Sequence, residues 1–218
     1  MTRVVLLHGA ATTARVWDDV GALLSAYDPG YDVVALDRPR SGDLERELAW
    51  LAPRVAGAWV VGMSGGATLG LALAASGTPI AGAVLHEPAA GSLAPDLLGP
   101  AAAAFARGGT AEFGAVLYGR SWRPPMAGGV DDAVTAGELA MFRSFEPATP
   151  APGVPVVVTY GALSPAPRRA AAYALRDAYG YRVQELAGAA HFVAVDAPDT
   201  LARTVGDLVR TEDLRPAP

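Results

Sequence analysis

At 218 residues the chain has the length of one domain, enough to bury a sizeable core. Its hydrophobic share of 51% against 18% charged is the balance of a folded globular chain and excludes a disordered one. A net charge of −5 with no basic block argues against a nucleic-acid partner, and the absence of cysteine excludes disulfides, thiolate nucleophiles and cysteine-based metal sites.

The three histidines, His8, His86 and His191, stand far apart and none pairs at metal-ligand spacing, so no zinc site is expected. The chain enters Val4-Val5-Leu6-Leu7 directly after Met1-Thr2-Arg3. That run is too short for a signal-peptide core, and no uninterrupted apolar stretch of about 18 residues follows, so the expectation is a cytoplasmic protein with no membrane span. The wealth of Ala, Gly and Pro looks like the codon bias of a GC-rich bacterial genome and says nothing of function.

Taken in order, Val4–Leu7 reads as a buried parallel strand, ending in His8-Gly9-Ala10-Ala11. Val16, Trp17, Val20, Leu23 and Leu24 then share one helical face. Tyr31–Leu36 is a second strand, closed by Asp37-Arg38-Pro39. Leu44–Val55 is a helix with Leu44, Leu48, Leu51 and Val55 at helical spacing and Pro53 disturbing its end. Ala58–Val61 is a third strand and Ala67–Ala75 the helix after it. Ile80–Leu85 is a fourth strand, ending in His86-Glu87-Pro88. From Ala89 to about Pro152 Pro and Gly are dense, short helices are predicted over 100–107, 111–118 and 131–145, and no strand is evident. Val154–Tyr160 is a fifth strand, Arg168–Tyr179 a helix, Tyr181–Leu186 a sixth strand, and Pro198–Val209 the last helix. The tail from Thr211 to Pro218 is expected to fray. Strands alternating with helices predict a mostly parallel sheet of about six strands with helices on both faces.

One stretch carries chemistry in its pattern: Gly62-Met63-Ser64-Gly65-Gly66, a G-x-S-x-G run between the third strand and its helix. A sharp strand-to-helix turn requires small flanking residues, lifts the serine hydroxyl out of the end of the sheet, and turns the next backbone N–H, that of Gly65, toward the same space. With strand before and helix after, the pattern resembles the nucleophile elbow of the α/β-hydrolase superfamily, a resemblance that runs over nearly the whole chain. It implies an α/β-hydrolase fold in one domain over 1–218, trimmed of two N-terminal strands, with a small helical cap at about 95–150.

The resemblance casts Ser64 as nucleophile and His191, in Gly188-Ala189-Ala190-His191-Phe192 between the last strand and the last helix, as its general base. A serine hydroxyl attacks well only when a base takes its proton. It also gives the His8-Gly9-Ala10 loop the oxyanion role, with the backbone N–H groups of Ala10 and Gly65 as the two donors and His8 itself structural. Trp17 and Asp37-Arg38-Pro39 also resemble family features, which line the pocket or hold loops, and the plainer loop-holding reading is preferred. The third member is the irregular one. The family usually places an aspartate shortly after the glycine ending the penultimate strand, and here Gly161-Ala162-Leu163-Ser164-Pro165 offers Ser164. Some members of the family take the acid from the end of the strand before the cap, which here offers Glu87 as the alternative acid, with capping a loop or pairing to an arginine such as Arg38 as its plain structural reading. Asp196, in Asp196-Ala197-Pro198, reads as the cap of the final helix.

The larger apolar cap residues, Phe105, Phe113, Leu117, Tyr118, Trp122, Met126, Met141, Phe142 and Phe145, are expected mainly to pack the cap onto the sheet and in part to face the site. The cap arginines Arg107, Arg120, Arg123 and Arg143 are candidate contacts for an anionic substrate and otherwise solvated surface. The implied activity is hydrolysis of an ester, thioester or lactone of a small apolar acyl substrate, with no cofactor and no metal. Two rivals stay open: cofactor-independent lyase or C–C bond chemistry on the same scaffold, and a ligand-binding protein that has lost the chemistry.

Overall fold

The computed structural model describes residues 1–213. Among them are six strands and eight α-helices, joined by short 3₁₀ turns. The strands are β1 (Thr2–Leu7), β2 (Tyr31–Leu36), β3 (Trp59–Met63), β4 (Gly82–His86), β5 (Val156–Gly161) and β6 (Arg182–Leu186). They form one all-parallel sheet in the order β2-β1-β3-β4-β5-β6, with helices on both faces. The chain starts in the interior at β1, steps out to β2, and returns across β1 to β3. The ends of β1 and β3 are therefore neighbours at the switch point of the sheet, where Leu7 pairs with Gly62. Parallel sheets of this kind bind ligands at such a point, beyond the carboxyl ends of the strands.

Helices α1 (Asp18–Tyr27), α2 (Leu44–Val55), α3 (Gly65–Ala75), α6 (Ala166–Tyr179) and α8 (Pro198–Asp213) accompany the sheet. The central strands β3 and β4 are buried along their whole length, as is nearly all of α3. That explains why these segments read as continuous apolar or small-residue runs without alternation. Gly70 lets α3 approach the sheet, because a Cβ there would run into the Leu85 side chain. The edge strand β6 is largely exposed and closes on buried Leu186.

Between β4 and β5 lie only helices: α4 (Gly99–Tyr118), α5 (Asp132–Ser144) and 3₁₀ turns. The two short helices expected over 100–118 are the two halves of α4. They meet at a break, where Gly109 has φ +60 and a Cβ would collide with the Asp132 carboxylate. Asp132 Oδ1 instead accepts from the backbone N and the Oγ1 of Thr110, each at 2.8 Å. Pro53 does not end α2 early. It falls in the last turn, and the helix reaches Val55. The fraying expected from Thr211 is not seen in the last helix, which continues to Asp213; residues 214–218 lie outside the described residues. Among the described residues no helix is long and apolar enough to cross a membrane, and no group of histidine and carboxylate side chains is placed to hold a metal ion.

Candidate active site

Ser64 sits between β3 and α3 in a backbone conformation that L-residues rarely adopt, φ 55 and ψ −121. The glycines around it are required by contact, not by flexibility alone. A Cβ on Gly62 would lie 2.5 Å from Gly66 O, and one on Gly66 would overlap Leu7 O in the neighbouring strand. The turn is pinned on both sides. Ser64 N donates to His86 O at 2.9 Å, Ser64 O accepts from Thr68 N at 2.9 Å, and Thr68 Oγ1 in turn accepts from Ala89 N at 2.9 Å. These bonds tie the ends of β3 and β4 together. The strained φ, which carries a penalty of about 1–3 kcal/mol, is held in place by this surrounding frame.

The turn after β1 runs alongside. Ala11 has φ 51, and a Cβ built on Gly65 would come within 3.3 Å of Ala10 N. Two carbonyls of this turn are held from the helical insertion: Tyr118 donates its hydroxyl to Ala10 O at 2.7 Å, and Trp122 donates Nε1 to Ala11 O at 2.9 Å. From beneath, Arg38 Nε donates to His8 O at 3.2 Å. Arg38 is buried between two carboxylates, Glu47 of α2 and Glu138 of α5, so it holds loops together as expected and does not pair with Glu87. His8 is wholly buried, and burial and then the charge of Arg38 keep it well below its ordinary pKa, the state of a neutral structural histidine.

His191 follows β6 and precedes the four-residue helix α7 (Val193–Asp196). It is 6% exposed, and its Nδ1 lies 2.7 Å from Oε2 of Glu87, which is 3% exposed. Glu87 stands immediately after β4 with φ 49, another strained position. Its second oxygen, Oε1, accepts from Gly161 N at 2.9 Å. The carboxylate thus starts one strand away from the expected position, spans the end of β5, and reaches the loop after β6. Of the three carboxylate or hydroxyl candidates, Glu87 is the one bonded to His191. Ser164 Oγ is buried with no hydrogen-bond partner among the described residues, and Asp196 is exposed at the end of α7.

Charge states result from this geometry. Burial pushes the Glu87 carboxyl upward, but the hydrogen bond from His191 and the charges of His191, His86 and Arg168 outweigh it and hold Glu87 well below the usual carboxylate range. Burial, then the charge of Arg168, lowers His191 to about 4 against the opposing pull of Glu87. At neutral pH the pair is therefore a carboxylate beside a neutral imidazole. That imidazole carries its proton on Nδ1, the nitrogen facing the acceptor, and leaves Nε2 as a lone pair. Nε2 is buried without a partner among the described residues.

Tyr118 joins the pieces. Its ring stacks on His191 with centroids 5.5 Å apart and 15° between planes, and packs on Phe192 at 4.6 Å. Its hydroxyl stands beside Ser64, since a Cβ built on Gly9 would meet both the Tyr118 Oη and the Ser64 Cβ. Its single proton goes to Ala10 O. The sequence places Tyr118 among the large cap residues expected to pack or to face the site, and no motif marks it out from them. Arg168, at the first turn of α6, is likewise not singled out by any motif. It does carry one signal in the sequence, since a cation at a helix N-terminus opposes the helix dipole. The cap arginines Arg107, Arg120, Arg123 and Arg143 are all exposed, so the buried cation at the site comes from α6 instead.

A small cavity of about 20 Å³ lies against Ser64, walled by Ala10, Gly65, Phe113, Leu117, Phe142 and Arg168 among others. A second, of about 160 Å³, lies between α4 and α6 against His191. A larger open cleft, of about 380 Å³ beside Thr13 and Met126, contains none of these residues.

A serine at a strained strand-to-helix turn, a histidine after the last strand and a buried carboxylate bonded to it, all at the carboxyl end of a parallel sheet, define a protein of the α/β-hydrolase fold. The chain belongs to the alpha/beta hydrolase family, whose sequence model matches residues 4–204. It is similar to the enol-lactonase from Burkholderia xenovorans LB400 (23% identity, 96% of this chain and 91% of that one, TM-score 0.73). It is also similar to an alpha/beta hydrolase from Sphaerobacter thermophilus (25%, 95% and 92%, 0.61) and to a carboxylesterase from Bacillus subtilis (17%, 95% and 83%, 0.63). No curated protein sequence matches it.

Proposed function

We propose that this protein is a serine hydrolase acting on an ester, thioester or lactone of a small acyl substrate. Ser64 is the nucleophile, His191 the general base, Glu87 the acid that orients it, and the amides of Ala10 and Gly65 are the oxyanion donors. The observation that carries the reading is the 2.7 Å bond from His191 Nδ1 to a buried, ionised Glu87. That bond fixes the tautomer in which Nε2 can take a proton. In the mechanism His191 Nε2 removes the Ser64 proton as Oγ attacks the carbonyl, and the developing negative oxygen is met by two preorganised N–H groups. The imidazolium then protonates the leaving group, water enters by the same base, and the acyl-enzyme is hydrolysed. Glu87 stays ionised throughout and stabilises the imidazolium. Tyr118 keeps the Ala10 peptide oriented, and the bond from Ser64 to His191 forms when substrate closes the site, as catalytic hydrogen bonds commonly form only then.

The proposal is tested with short p-nitrophenyl esters: Ser64→Ala should fold normally and lose hydrolysis, and retained turnover in that variant would remove Ser64 from the mechanism. One observation favours a second reading. His191 Nε2 is not bonded to Ser64 in this structure, which also suits a non-hydrolytic enzyme that uses His191 as a proton acceptor and Ser64 only as a donor. Such an enzyme would form no acyl-serine.

A further inference from the structure

Arg168 is a charged group that the acyl-transfer steps leave without a direct task. Its side chain is only 10% exposed, yet it stands in the first turn of α6, where the helix dipole disfavours a cation. Its ties to the protein are long. Nε lies 3.6 Å from Glu87 Oε2, and Nη1 donates to Glu87 O at 3.5 Å. The Glu87 oxygens are engaged at shorter range by His191 and Gly161. A guanidinium carries five N–H donors. No Arg168 nitrogen is among the fully buried atoms left without a partner among the described residues, so the donors that make no hydrogen bond reach accessible space.

The position of the fork gives it a use. Arg168 borders the small cavity against Ser64 and also the 160 Å³ cavity against His191, so it stands where the two adjoin. The second cavity is otherwise walled mainly by apolar groups such as Leu97, Ala101, Leu117 and Pro167; Asp96 also lines it and is exposed. A planar cation with free donors in an apolar cleft is matched by a carboxylate, which takes two parallel N–H bonds from such a fork.

We propose that Arg168 binds a carboxylate of the substrate, so that the substrate class is a short acyl ester, thioester or lactone carrying a second, ionised carboxyl group. This rests on the serine-hydrolase reading above. Binding places the anion on Arg168 and leaves the scissile carbonyl free to reach Ser64.

The test compares ester pairs that differ in one charge. With the carboxylate on the acyl side the pair is p-nitrophenyl hemisuccinate and p-nitrophenyl butyrate; on the leaving-group side it is 4-acetoxybutyrate and its methyl ester. The intact protein should prefer the anionic member of one pair by about 10- to 100-fold in kcat/KM, the range of hydrogen bonds to a charged group. Arg168→Gln should erase that preference through KM, and Arg168→Lys should restore part of it. The ratio within a pair is unaffected by a general loss of activity through Glu87. Hydrolysis of the neutral esters with no preference in either pair would overturn the proposal and leave the hydrolase reading standing. If no ester is hydrolysed, the hydrolase reading fails, and calorimetric titration with succinate decides on Arg168 independently. Binding that is lost in Arg168→Gln but kept in Ser64→Ala supports the carboxylate site, and no binding to the intact protein overturns it.

Discussion

Glu87→Gln removes one charge and almost no volume, so its effect is set by hydrogen bonding and electrostatics alone. The carboxylate accepts two hydrogen bonds, from His191 Nδ1–H at 2.7 Å and from Gly161 N–H at 2.9 Å. An amide has one oxygen for these two donors. If that oxygen serves Gly161, the NH₂ group faces His191, the imidazole proton moves to Nε2, and the nitrogen that acts as base in the proposed mechanism is no longer one. If the oxygen serves His191, the NH₂ opposes the Gly161 N–H and leaves a buried donor unsatisfied, at about 1–3 kcal/mol. The active tautomer is thereby depleted about 5- to 150-fold. The imidazolium formed in the transition state also loses its counter-charge. Two unit charges about 4 Å apart are worth about 4 kcal/mol at an effective dielectric of about 20, which is close to 10³-fold in rate. Together the two effects predict a fall in kcat of about 10⁴-fold, with KM for a neutral ester little changed. Stability should fall too, by a few kcal/mol, because Arg168 loses the one carboxylate at ion-pair distance from it among the described residues. The assay is p-nitrophenyl acetate turnover with a thermal melt on the same sample. A kcat within tenfold of the parent protein, in a variant that melts normally, would refute the reasoning.

Three further outcomes are expected. Tyr118→Phe leaves Ala10 O without its donor and should lower stability by about 1–3 kcal/mol, visible in the melt, with kcat reduced about tenfold and KM unchanged; an unaltered melt and kcat would contradict the positioning role. Acidification should destabilise the protein. His8, His86 and His191 are all buried and all held below the ordinary 6.5, so the unfolded chain binds more protons than the folded one once the pH drops through that value. Stability is therefore lost as pH falls from about 6.5, by up to about 1.4 kcal/mol per pH unit for each histidine, and for His191 the loss runs down to about pH 4. Glu87, whose carboxyl is held low, adds to the loss only below its ordinary 4.5. Melting temperatures that stay level between pH 7 and pH 5 would contradict this. Gly66→Ala drives a Cβ into Leu7 O, a backbone atom fixed by the sheet, and should destabilise by about 3 kcal/mol or more; a soluble variant melting like the parent would show that the turn has room for a methyl group.

What is legible in the sequence is what lies close together along it. The elbow reads directly because the close approach of Gly62 and Gly66 to their neighbours leaves room only for glycine. The runs 4–7 of β1, 59–61 of β3 and 83–85 of β4 read because strand segments buried on both faces are continuously apolar. The histidine after β6 reads from its place in the strand–helix order. The Glu87–His191 bond does not read that way, since 104 positions separate the partners and only the adjacency of β4, β5 and β6 brings them together. Ser164 stands where the usual acid stands, but the glycine before it, Gly161, spends its N–H on Glu87. The same limit hides Tyr118, whose value lies in a hydrogen bond to Ala10 across the interface between the helical insertion and the sheet.

The central claim is that Ser64 is a nucleophile activated by His191, and the most direct measurement is intact-protein mass spectrometry after treatment with a fluorophosphonate. The predicted result is a single adduct on Ser64, formed rapidly by the parent protein, absent from Ser64→Ala and slowed by orders of magnitude in His191→Ala. No adduct on a folded parent protein, or equal labelling in His191→Ala, would contradict it.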